Sequence, residues 1–150
     1  MKLALSHILG ATVLAAASAA AVHVQSNTAS VSVPVTQLRY GPTGVTDGIH
    51  GEVQAAAAYG DSSRGAHGTF LRLPPQFASP LHTHSADYWA VVVAGVVVNG
   101  KPGSEEVPLP VGSYFFQKGG EPHITRCISP NECLVFLSQD AKYDFIRVAK

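Results

Sequence analysis

Three histidines carry the chemistry open to this chain. His82 and His84 flank Thr83, and His123 closes the downstream stretch Gly112-Ser-Tyr-Phe-Phe-Gln-Lys-Gly-Gly-Glu-Pro-His123. Side chains on an extended strand alternate between faces, so His82 and His84 point the same way and reach one metal ion together. A third imidazole, His123, delivered from another strand completes a facial cap and leaves coordination positions open, which makes a reactive site rather than a structural one. The donor set implies one divalent transition metal (iron, zinc, copper, manganese or nickel) without choosing among them.

The remaining histidines offer less. His7 and His23 precede the domain, while His50 and His67 lie beside glycines in expected loops, where exposure is the default. Arg72 is either a bidentate clamp for an anionic substrate near the mouth of a site or a plain surface charge.

The elements that must position these groups are strands. Gly, Pro or Asp-Gly interrupts the chain every several residues, and no segment sustains a helical period. Strands are expected at Val33 to Tyr40, Glu52 to Tyr59, His67 to Leu73, Leu81 to Ala94, Val96 to Asn99, Ser113 to Gln117, His123 to Ile128, Leu134 to Ser138 and Phe145 to Val148. Short strands so spaced indicate an all-β sandwich or barrel. The alanines of Gln54-Ala-Ala-Ala-Ala-Tyr59 favour helix on propensity, but the segment between Gly51 and Gly60 is too short to decide.

At 150 residues and 46% hydrophobic, the chain supports one core. Met1-Lys2, the apolar run Leu3 to Ala17 and the small residues Ala19-Ala20-Ala21 read as a cleavable secretory signal over residues 1–21. A polar linker, residues 22–32, and a single domain, residues 33–150, follow. The mature protein is thus expected to be secreted or periplasmic and free of the membrane; Ala90 to Val98 is far too short to span it.

Ten Lys and Arg balance ten Asp and Glu, and no basic stripe exists, which argues against nucleic acid as a partner. A small-molecule substrate fits this balance, and a homodimer is an open assembly. Cys127 and Cys133 bracket a Ser-Pro-Asn turn. In an oxidising compartment they pair as a disulfide closing a hairpin, worth about 2 kcal/mol for so short a loop. The alternative is a free thiol at Cys127 near the metal.

These residues bear a family resemblance. The chain resembles the cupins, small jelly-roll barrels with the motifs G-x5-H-x-H-x3-4-E-x6-G and G-x5-P-x-G-x2-H-x3-N. His82, His84 and Gly95 match the first, and Gly112, Gly120 and His123 the second, over the stretch Gln76 to Cys127. Gln76, Tyr88, Lys118 and Cys127 depart from it, and Tyr88 stands where the ligand glutamate would be.

The resemblance implies an all-β jelly-roll barrel, a double-stranded β-helix, but cannot name a reaction, because the fold hosts many. Without the glutamate, three neutral ligands leave the metal's charge uncompensated, favouring an anionic or chelating substrate. In this respect the site is similar to those of acetylacetone-cleaving and thiol dioxygenases, which hold iron by three histidines. Metal-dependent dioxygenation of a β-dicarbonyl or phenolic compound is therefore the leading expectation, with iron as the metal in that case. A redox-neutral lyase, isomerase or hydrolase using Tyr88 or Glu121 as proton carrier, and a non-catalytic binding module, are the rivals.

Strand parity with His82 and His84 puts Tyr88 in the cavity as a hydrogen-bonding or packing group, Asp87 on the other face unless a bulge re-aims it as a carboxylate ligand, and Trp89 outward. Phe70, Phe77, Val91, Val93, Phe115 and Phe136 are candidates for core or lining. Gln117 and Thr125 are candidates for polar groups in the pocket.

Overall fold

The structure, a computed structural model, describes residues 29–149. The expected signal, most of the linker, His7 and His23 lie outside the described residues.

The described residues form ten strands: β1 (Gly41–Thr46), β2 (Glu52–Gly60), β3 (His67–Leu73), β4 (His82–Thr83), β5 (Tyr88–Ala94), β6 (Val97–Gly100), β7 (Tyr114–Gln117), β8 (Ile124–Cys127), β9 (Cys133–Gln139) and β10 (Ile146–Arg147). All pairings are antiparallel. Six strands form one sheet in the order β1-β2-β3-β9-β5-β7, and β10-β4 and β6-β8 form two small ones. The architecture is the all-β jelly roll of a cupin. Among the described residues only the 3-10 turn Val35–Gln37 is helical, and no helix is long and apolar enough to cross a membrane.

Alternation builds the core. Tyr88, Ala90 and Val92 of β5 and Val135 and Leu137 of β9 turn inward with Leu73, Phe77 and Val97. Cys127 and Cys133 are bonded to each other, both buried, and tie the end of β8 to the start of β9. Gly95 sits at φ 78°, and a Cβ there would meet the Cys133 sulfur at 2.7 Å. The turn and the close approach to the disulfide both require glycine.

Several expected elements move. The strand expected at Val33 to Tyr40 is instead extended chain around the 3-10 turn, and the first strand is Gly41–Thr46. Its Pro42 and Gly44 are tolerated because β1 is an edge strand with an irregular register. The alanine segment is strand, paired on both sides. The expected strand Leu81 to Ala94 is broken between β4 and β5, where the Asp144 carboxylate accepts from the Ser85 N–H and Gly119 packs against the backbone of Ser85 and Ala86. Val91 and Val93 are 41% exposed, and Phe70 and Phe136 pair on the outer face rather than in the core. Once Tyr88 faces in, β5 alternation sends Val91 and Val93 out.

Candidate metal centre

His82 and His123 oppose each other as a hydrogen-bonded antiparallel pair. The His82 N–H donates to the His123 carbonyl at 3.1 Å, and the His123 N–H returns the bond at 2.9 Å. Directly opposed side chains share a face, so sheet pairing alone brings the two imidazoles together. His84 follows two residues on, with its carbonyl held by the Gly120 N–H at 2.8 Å. The three ring centroids are 4.2, 4.8 and 5.2 Å apart, and one ligand atom from each ring lies within 4.8 Å of the others.

Each ring is oriented from behind by a backbone carbonyl. His82 Nδ1 faces the Pro80 carbonyl at 2.8 Å, His123 Nδ1 faces the Glu121 carbonyl at 3.0 Å, and His84 Nδ1 faces the Asp144 carbonyl. A carbonyl only accepts, so each Nδ1 carries the proton and each Nε2 keeps a lone pair. His82 and His123 find their carbonyls two residues back in their own loops, beside Pro80 and Pro122. His84 takes its carbonyl from the C-terminal segment, which the β10–β4 pairing brings alongside.

All three imidazoles are buried. Burial, followed by the neighbouring His123, pushes the His82 pKa down to about 3. Burial also lowers His84, and it brings His123 down to about 4. The trio is neutral at physiological pH, the state a divalent cation requires. The donor set therefore fits a divalent metal ion.

Stability follows from the same shifts. The folded histidines bind protons less readily than in the unfolded chain, where the pKa is about 6.5. The unfolded chain therefore gains protons first as pH falls, and stability drains between about pH 6.5 and 3. We expect the melting temperature of chelator-treated protein to fall on the order of ten degrees between neutral pH and the low end of that window. A flat scan would contradict the buried, neutral trio.

The cavity beside His82 and His84 is small, with about 50 Å³ of space that a water-sized sphere can occupy. Phe77, Ala90, Phe115, Val135 and Leu137 give it apolar walls, and Thr43, Ser79, Thr125, Tyr88 and Tyr143 supply its hydroxyls. No Asp, Glu, Lys or Arg side chain lines it. Tyr88 is buried in it, with its hydroxyl 3.5 Å from His123 Nε2 and its ring edge-on to His84 at 5.1 Å. Burial holds the Tyr88 and Tyr143 phenols well above the usual range, so both are protonated donors.

The other expected site residues divide. Phe115 and Thr125 line the cavity. Gln117 is buried behind it, taking a hydrogen bond from Asn99, which in turn accepts from Thr125, and donating to the Lys118 carbonyl; it braces the loop before His123. Arg72 lies outside, its guanidinium 3.8 Å over the Tyr40 ring and its Nε 3.6 Å from Glu132, because its β3 position faces away from the cavity. The Glu121 carboxylate pairs with Lys101 at 3.2 Å. Asp87 is exposed and accepts from the Gly119 N–H at 2.7 Å. Trp89 is 55% exposed.

His50 is exposed and bonds Asp47 at 2.7 Å, but His67 is not the surface residue expected from its glycine neighbour. It is 2% exposed, held by Thr69 and Gln139, with Tyr143 edge-on at 6.5 Å. Sequence reasoning also missed Tyr143 and Phe145. Phe145 stacks on His82 at 4.0 Å and 17°, and Tyr143 lies 5.1 Å from His84. The available signal was two aromatics alternating about Asp144 near the end of the chain.

Fold and site together define a cupin with a three-histidine cluster suited to a divalent metal. The chain belongs to the family described as Domain of unknown function (DUF4437), whose model matches residues 43–147. A search of curated proteins finds no match. Among solved structures it is similar to the polyketide cyclase RemF from Streptomyces resistomycificus, at 16% identity and TM-score 0.64 over 81% of this chain and 87% of that one. It is similar to a predicted oxalate decarboxylase from Thermotoga maritima, at 18% identity and TM-score 0.59 over 74% and 99% of the two chains. A third similar structure is an RmlC-like cupin from Shewanella frigidimarina, at 17% identity and TM-score 0.56 over 79% and 94%. Identities this low speak for the fold alone.

Proposed function

We propose that the protein is an exported, metal-dependent enzyme. His82, His84 and His123 hold one divalent transition metal, and a small chelating molecule with an apolar body fills the cavity. The observation that carries this reading is the set of three Nδ1–carbonyl contacts, which leaves three Nε2 lone pairs beside an apolar cavity. A buried polar cluster facing a cavity lined by no carboxylate is costly unless it has a ligand to hold. The metal would supply positive charge to a bound oxygen anion and, if iron, access to dioxygen.

The chain's own residues do the rest. Without a charged side chain in the lining, the cavity selects the substrate's body by shape and apolar contact, through Phe77, Phe115 and Phe145. The Tyr88 hydroxyl, protonated and held between His84 and the apolar walls of the cavity, donates a hydrogen bond to charge developing on the substrate. Oxygen-dependent cleavage of a β-dicarbonyl or phenolic compound is the reaction we favour. A redox-neutral reaction draws support from the two protonated phenols, Tyr88 and Tyr143, each 5.1 Å from His84 ring to ring, either of which can supply a proton.

The test is to load the protein with iron, zinc, manganese, nickel or copper in turn and follow both oxygen uptake and substrate loss. Tyr88→Phe is expected to keep its metal while turnover falls about tenfold to thousandfold. Substrate loss without oxygen uptake selects the redox-neutral reaction, and no turnover with any metal bound makes the protein a binding module.

A further inference from the structure

An antiparallel sheet with one face on the core normally turns a polar face to water. Over β9, β5 and β7 the six-stranded sheet does not; a charge on its outer face, Arg72 of β3, lies one row away against Tyr40 and Glu132. One cross-strand row on its outer face runs Phe70, Phe136, Val91, Tyr114 over β3, β9, β5 and β7. The next row, entering from β2, runs Tyr59, Gly68, Ser138, Trp89, Phe116. Neither row contains a charge.

The rings form a layer rather than scattered contacts. Trp89 lies 4.8 Å from Phe116 and 5.9 Å from Tyr114, and Phe70 lies 5.0 Å from Phe136. Tyr59 lies flat across Gly68, where a Cβ would meet its ring at 2.2 Å, and its hydroxyl bonds Ser138 at 2.8 Å. Yet Tyr114 is 66% exposed, Trp89 55%, Tyr59 50% and Phe116 45%.

We propose that this face is the contact between two copies of the chain. With roughly 150–250 Å² per whole aromatic side chain, the exposed parts of these four rings, with Val91 and Val93, come to about 600 Å². That lies at the top of the range of about 300–600 Å² for the largest apolar patch of a typical monomer, a size at which such patches are often functional. It approaches the area of about 800 Å² that each partner contributes to a standard interface. An uncharged patch is also its own complement: a two-fold axis sets it against itself without opposing like charges, and a partner steered by charge finds nothing here to read. The contact leaves the cavity free, since Trp89 and Val91 alternate along β5 with Tyr88 and Ala90, which line it.

Trp89 is the chain's one tryptophan, so intrinsic fluorescence reports this face alone. Sedimentation velocity of the full chain at micromolar concentrations should show a dimer, with Trp89 emission moving to the blue as dimer forms. Phe116→Glu should weaken the dimer by about thirtyfold or more and return Trp89 emission to the red, with metal content unchanged. Tyr114→Lys, at a more exposed position, should do the same without risk to the fold. The proposal is overturned by a monomer with solvent-exposed Trp89 emission, or by a dimer that survives both substitutions. It is equally overturned by a monomer with blue emission that turns red when residues 1–28 are removed, because that chain's own N-terminal segment then covers the face.

Discussion

Replacing His82, His84 or His123 with alanine is expected to lower metal affinity by at least about tenfold, and by more for the pair that the sheet holds face to face. Loss of a direct ligand should be no milder than loss of the groups that orient ligands, which costs tenfold to a hundredfold. Chelator competition and metal stoichiometry on folded protein measure it directly. Thermal melts give a second reading: metal at a hundred times its Kd stabilises by about 2.7 kcal/mol, and a tenfold weaker site forfeits about half of that. If stoichiometry and affinity survive all three single substitutions, the metal lies elsewhere and the proposed chemistry goes with it.

Deleting residues 143–150 is expected to weaken metal binding by tenfold to a hundredfold with every ligand still present. The deletion removes the carbonyl behind His84, the ring stacked on His82 and the β10 pairing that fixes β4. Phe145→Ala tests the packing part alone. It should cost about 2–3 kcal/mol of stability, the lower end for a phenylalanine that is only partly buried, and metal affinity should fall in parallel. A truncated chain that stays folded and binds metal at full strength would show that the imidazoles need no orientation from the C-terminus.

Both predictions bear on what a sequence discloses. The histidine pair was legible because the strand period is two, and His123 because its spacing fits a second motif. Tyr88 ends in the cavity although the continuous strand assumed for it is broken at residues 85–87, so its parity was right across a bend that alternation does not foresee. Val91 and Val93 were misread because β5 is apolar on both faces; the Ala90–Val93 run hides its alternation when the outward residues are as hydrophobic as the inward ones. β1 was missed because Gly-Pro-Thr-Gly carries turn chemistry, which an edge strand can absorb. His67, Tyr143 and Phe145 could not be placed from local pattern at all. Their surroundings come from pairings far apart in the chain, such as His67 with Gln139 and Thr83 with Ile146.

The source of the three carbonyls also sets an order of events during synthesis. His82 and His123 receive theirs from the two residues before them, so each ring can be aligned soon after its own loop leaves the ribosome. The acceptor for His84 is sixty residues downstream, at Asp144. Until that segment docks through the β10–β4 pairing, two imidazoles are aligned and the third is free to turn. Closure of the histidine cluster therefore waits on this long-range pairing, and a tightly held metal ion marks a chain folded through Asp144.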